Sequence, residues 1–126
     1  MRTEGAHGPA GHRVERVAEE IRNEVNLMLA GELKDPRLAG DVTITEVRLA
    51  PGMRTIRIFV RVDGTEEERK KTLKGLEAAK GFVRHELVER LHMRRAPEVL
   101  FMLDQTEEIE KRINELLHKT DTPEKP

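Results

Sequence analysis

Between Arg13 and Ala30 the apolar residues Val14, Val17, Ala18, Ile21, Val25 and Met28 recur every three or four positions. That period predicts an amphipathic helix with one core-facing stripe. Gly31 can end it, and Asp35-Pro36 takes the chain out of helical geometry. Val42 to Leu49 is rich in β-branched residues and predicts a strand. Its apolar residues change phase, Val42 and Ile44 on one parity and Val47 and Leu49 on the other; a bulge near Thr45–Glu46 reconciles them. Ala50-Pro51-Gly52-Met53 is turn chemistry. Arg54 to Val62 then alternates, with Ile56, Ile58, Val60 and Val62 inward and Arg57, Phe59 and Arg61 outward. The pair makes a hairpin with one buried face, its other face showing two arginines around an aromatic ring.

Asp63-Gly64 closes the second strand. Thr65-Glu66-Glu67-Glu68 has the spacing of a capping box, with Thr65 as the cap and Glu68 reaching back. The helix that follows turns Leu73, Leu76 and Ala79 inward and meets Gly81; a second helical stretch carries Val83, Leu87, Val88 and Leu91. Glycine inside a helix costs roughly 1 kcal/mol relative to alanine, so Gly81 marks a kink or a close packing contact, with Phe82 packed at it. A helix running past Leu91 would bring Arg90 and Arg94 near the Val83–Leu87 stripe, so the helix is expected to end there. Pro97 precedes Val99-Leu-Phe-Met-Leu103, a wholly apolar run that suits a strand buried on both sides. Asp104 to Glu107 can cap a last helix through His118, with Ile109, Ile113, Leu116 and Leu117 on one face. The order helix, strand, strand, helix, helix, strand, helix is α+β, a small three-stranded sheet with helices on one face. Its parts divide into a polar, Gly-rich tail over 1–11, a domain over 12–104, a C-terminal helix over 105–118 and a polar tail over 119–126, both tails expected to be flexible.

Composition narrows the chemistry. The 126 residues contain no Cys, Trp, Tyr or Ser, which excludes thiolate zinc sites, Cys and Ser nucleophiles and tyrosine acid–base work. His85-Glu86-Leu87-Val88-Glu89 opens like a zinc-protease helix but has Glu89 where the second histidine must stand. Carboxylate pairs sit mostly in first helical turns, where the helix dipole accounts for them. The chain is expected to be a non-enzyme with no metal and no cofactor. No apolar run approaches the roughly 20 residues that span a bilayer, and the first residues are too polar for a signal peptide; a cytoplasmic location and a monomer are expected. The net charge of −1 divides unevenly, +5 over residues 42–97 against −2 before and −4 after. A basic middle between acidic ends points to a polyanion.

The topology is that of a KH-like module, which ordinarily clamps nucleic acid with a GxxG turn between two helices. Here that string occurs only as Gly5–Gly8 and Gly8–Gly11, between no predicted helices, and Ala79-Lys80-Gly81 stands at the interhelix position. Arg13-Val14-x-Arg16-Val17-Ala18-Glu19-x-Ile21, Lys34-Asp35-Pro36-Arg37-Leu38, Val42-Thr43-Ile44-Thr45-x-Val47, Ala79-x-Gly81-Phe82-x-Arg84-x-x-Leu87 and Arg94-Arg95-x-Pro97-Glu98 follow in that order. Over about residues 12–117 the sequence strongly resembles the ribosome-binding factor A family of bacteria. The resemblance implies a type II KH-like domain with an Ala-x-Gly kink, Ala79 and Gly81, in place of GxxG. It further implies an assembly factor that binds the small (30S) ribosomal subunit and 16S rRNA and assists late maturation, including 5′-end processing. Importance in the cold and release with help from a ribosome-associated GTPase come with it.

Phosphate contacts from Arg and Lys supply most of the affinity for rRNA. On the matched motifs the candidates are Arg13, Arg16, Lys34, Arg37, Arg84, Arg94 and Arg95; Lys80 joins them on charge, with Lys74 and Arg90 behind it. Asp35 and Pro36 are expected to set the turn that presents Lys34 and Arg37. With three Phe in all, recognition should read the shape and backbone of the RNA rather than a short base sequence. The alternative reading is a protein-interaction module recruited to the ribosome through a protein partner, supported by the acidic last helix. A small hydrolase built on a histidine–carboxylate pair such as His85 and Glu86 is a third.

Overall fold

In a computed structural model the backbone is described for residues 4–38 and 41–121, and the side chains for 13–38 and 41–118. Six principal elements follow in order: α1 (Glu4–Leu27), β1 (Val42–Leu49), β2 (Thr55–Val62), α2 (Glu66–Leu91), β3 (Glu98–Leu103) and α3 (Thr106–Asp121). The sheet is ordered β1-β2-β3, with β1 antiparallel and β3 parallel to the central β2. This is α+β, a three-stranded mixed sheet with helices.

The alternation of β2 decides which face is inside. Ile56, Ile58, Val60 and Val62 are buried against Ile21, Val25 and Met28 of the first helical segment and Leu76, Val83 and Leu87 of α2. Burial of each such side chain is worth about 1.5–3 kcal/mol. The register of β1 on β2 slips between Ile44 and Glu46, so Thr45 is the bulged residue and the phase change in β1 becomes a single continuous inner face. At the start of α2 the Glu68 N–H donates to Thr65 Oγ1 (3.1 Å) and the Thr65 N–H donates to Glu68 Oε1 (2.7 Å), completing the capping box. The helix ends at Leu91, where His92 adopts a left-handed conformation.

Several expectations are corrected. The two helical stretches around Gly81 are one continuous helix, and a Cβ placed on Gly81 would meet no atom within 4 Å; there is no close packing contact. Phe82 is 41% exposed instead of packed at that point. β3 is not buried on both sides: Val99 faces the core, while Met102 lies exposed on the outer face. Helices cover only one face of a three-stranded sheet, and an unbroken apolar run does not reveal this. Val14 is half exposed, and core packing by α1 starts only at Val17. The backbone of α1 is helical from Glu4, ahead of the Arg13 start that periodicity gives, through a stretch with no apolar stripe to mark it. α3 runs to Asp121 rather than His118. Of the two expected tails, residues 1–3 and 122–126 lie outside the described residues.

Candidate nucleic-acid interface

The exposed cations fall into groups that differ in what already holds them. The first includes Arg94 and Arg95 on a cleft of about 440 Å3, which is lined also by Val17 and Glu20 of α1, by Gly52 and Met53 of the hairpin turn, and by Leu91, His92 and Met93 at the end of α2. The left-handed turn at His92 ends α2, the Met93 N–H donating to the Val88 carbonyl at 3.1 Å. Pro97 is buried and the Glu98 N–H donates to the Arg54 carbonyl at 2.8 Å, so the connection carrying Arg94 and Arg95 is fixed at both ends. Arg13 and Arg16 stand four residues, one helical turn, before Val17 and Glu20 on α1. Arg13, Arg16, Arg94 and Arg95 are all exposed, and among the described residues none of them has an ion-pair partner.

The second group is the turn over Lys34 and Arg37. The Arg37 guanidinium and backbone N–H both donate to the Asp35 carboxylate, each at 2.9 Å to Oδ1. The side-chain bonds from Arg37, then its backbone N–H, hold the Asp35 carboxyl down at about 2. The 3-10 turn Pro36–Leu38 is pressed onto α2: a Cβ on Gly75 would lie 3.0 Å from Leu38 Cδ2 and 3.1 Å from Arg37 Cβ, and Thr72 Oγ1 donates to the Arg37 carbonyl at 3.3 Å. The hollow beside it is lined by Asp41, Asp63 and Glu68 as well as Arg37 and Lys71. Asp35 thus fixes the turn, but Arg37 faces carboxylates. Lys34 is exposed and has no ion-pair partner among the described residues.

On α2, Lys80 and Arg84 lie four apart on one flank. Lys80 is paired with Glu77, whereas Arg84 is exposed without an ion-pair partner among the described residues. Arg90, on the opposite flank, donates to Glu86 at 3.0 Å, to Glu24 of α1 at 2.9 Å and to Glu32. These bonds, that from Glu24 the strongest, raise its affinity for the proton still further. Arg90 is a brace between α1 and α2. The sequence gives no sign of it, because Glu24 and Glu32 are distant along the chain. On the outer face of the sheet the Arg48 guanidinium lies 5.2 Å from the Phe59 ring centroid, beside its ion pair with Glu46. The bulge at Thr45 makes this possible by setting Glu46 opposite Phe59 and Arg48 opposite Arg57.

Among the described residues no cluster of three His, Asp or Glu has the geometry to hold a metal ion, and no helix is long and apolar enough to cross a membrane. Glu86, the carboxylate beside His85, is committed to Arg90. What the surface offers is exposed guanidinium groups without ion-pair partners among the described residues, Arg94 and Arg95 on the cleft, Arg13 and Arg16 on α1 and Arg84 on α2, a chemistry suited to phosphates.

Similarity to known proteins extends over nearly the whole chain. The sequence pattern of the family described as ribosome-binding factor A matches residues 13–117. A protein of that name from Koribacter versatilis is 46% identical over 114 residues, covering 90% of this chain and 92% of its own length. One from Caldanaerobacter subterraneus is 36% identical, covering 90% and 93%. Among solved structures, the solution structure of a Thermotoga maritima protein described as a ribosome binding factor A has 35% identity, covers 71% of this chain and 84% of that one, and superposes with a TM-score of 0.62. The crystal structure of ribosome-binding factor A from Thermus thermophilus has 25% identity, covers 76% and 96%, and gives 0.58. With the family's pattern matched over residues 13–117 and relatives of that name 36–46% identical over most of both chains, the chain belongs to the ribosome-binding factor A family.

Proposed function

We propose that this protein is a non-enzymatic assembly factor that binds the small ribosomal subunit by gripping the backbone of 16S rRNA, and so assists late maturation, including processing of the 5′ end. The carrying observation is that Arg94 and Arg95 line one cleft together with the turn of α1 that follows Arg13 and Arg16, and that none of the four is neutralised by a carboxylate partner among the described residues. Arg84 and Lys34 extend this surface, while Arg37 and Lys80 contribute only by exchanging Asp35 and Glu77 for phosphate. The protein acts as a monomer in the cytoplasm, leaves with the help of a ribosome-associated GTPase, and matters most in the cold, where misfolded rRNA is slowest to escape. The test is chemical footprinting of 16S rRNA in small subunits with and without the protein. Protected nucleotides that reappear when Arg94 and Arg95 are both changed to Glu are expected; a particle that binds the protein with no protected nucleotide at all would instead favour recruitment through a protein partner.

A further inference from the structure

The cleft lined by Arg94 and Arg95 also holds the two non-glycine residues with positive φ among the described residues. Met53 has φ +55° on the hairpin turn, and His92 has φ +53° after α2. Both lie on its lining. A left-handed conformation presses Cβ against the backbone, a cost that glycine avoids, and a helix end of the kind at His92 usually carries Gly or Asn. Side chains kept at such a cost are a sign of function when they cluster at one site.

The lining has a definite chemistry. Val17, Leu91, Met53 and Met93 supply apolar walls, the two thioethers being polarizable and adaptable in shape. Glu20 is the one carboxylate in the lining, and Arg94 and Arg95 are its cations. Its volume of about 440 Å3 is in the range of small-molecule sites. An acidic side chain of a protein partner would be repelled by Glu20. A nucleobase would not be: its flat faces suit the apolar walls, its exocyclic amine can donate to that carboxylate, and its flanking phosphates suit the arginines. We propose that this cleft takes the base of one unpaired RNA nucleotide, with the neighbouring phosphates on Arg94 and Arg95. The inference rests on the rRNA reading above and adds to it a contact to a base, where backbone alone would read only shape.

The test uses the full chain and short single-stranded RNAs, one carrying a fluorescent 2-aminopurine and one with that position abasic. The base-bearing RNA is expected to bind several-fold more tightly, with a change in 2-aminopurine emission. Met53→Gly and His92→Gly relieve the left-handed strain, so their melting temperatures should be equal or higher while the preference for the base-bearing RNA disappears. Equal binding of the abasic RNA, or a preference that survives both glycine variants, overturns the base pocket and leaves the phosphate grip intact. Absence of binding by either RNA overturns the pocket, and the rRNA reading falls only if the subunit footprints also show no protected nucleotide. A diazirine side chain placed at Met53 and irradiated on small subunits should label rRNA; labelling of ribosomal protein alone overturns the proposal.

Discussion

The two glycines of α2 stand six residues apart in one helix and do opposite things. Gly75 is buried, and the Pro36–Leu38 turn sits directly on it, so tightly that a Cβ would lie 3.0–3.2 Å from Leu38 and Arg37 atoms. Gly81 is exposed with open space where its Cβ would be. One side of the helix is therefore a packing surface that anchors a loop, and another presents Gly81, Phe82 and Arg84 to solvent. A glycine that is needed for packing is bound to fold stability, whereas a glycine that touches nothing has its reason in function or has none. The difference also sorts the cations: Arg37 beside Gly75 is held by Asp35, while Arg84 beyond Gly81 has no ion-pair partner among the described residues.

The largest effect should come from Gly75→Val. Overpacking of this kind costs typically 1–3 kcal/mol, and about 2 kcal/mol is expected here as a lower urea midpoint. A stability equal to that of the parent would show that the turn yields freely, and the contrast between the two glycines would disappear. Next, Arg90→Gln should lower stability more than Arg84→Gln, because only Arg90 ties Glu24, Glu32 and Glu86 together; equal thermal midpoints for the two variants would contradict the brace. Gly81→Ala should act in the opposite sense to Gly75→Val, raising stability by about 0.5–1 kcal/mol through helix propensity. If the same change weakens subunit binding, the glycine is kept for the ribosome.

The smallest effect is in acid. Asp35 has a lower pKa in the folded chain, about 2, than the 3.8 of a free carboxyl. Its contribution to stability is therefore complete above about 3.8 and fades as the pH falls from there towards 2. In Asp35→Asn the melting temperature should depend less on pH across that window; an unchanged slope would remove any role for the Asp35–Arg37 bond in stability.

How much of this was legible depended on whether the signal was local. The bulge in β1 showed as a change of parity, the inner face of β2 as strict alternation, and the Thr65–Glu68 capping box as a four-residue spacing. The end of α2 at Leu91 followed from what Arg90 and Arg94 would otherwise bury. What escaped depended on contacts between distant segments. Gly75 looks like any glycine in a helix until the turn at 36–38 arrives on it, and Gly81 drew attention as the glycine in the familiar motif. Arg90 reads as a solvent cation until Glu24 and Glu32 are brought to it. The apolar run of β3 does not show that helices cover one side of the sheet only, which leaves Met102 exposed. Of the candidate cations, the sequence named Arg94 and Arg95 without showing that they share a cleft with Val17 and Glu20 of α1, because α1 and the connection after α2 meet only in the fold.

The central claim is that guanidinium groups mounted on this scaffold grip the phosphates of small-subunit rRNA. Cosedimentation with purified small subunits across a salt series tests it most directly. Log K is expected to fall linearly with log salt. Arg94→Glu with Arg95→Glu should both weaken binding and make the slope shallower, by roughly 0.7–0.9 for each phosphate no longer engaged. Binding that is indifferent to salt, or a doubly reversed variant with the parent's affinity and slope, would contradict it.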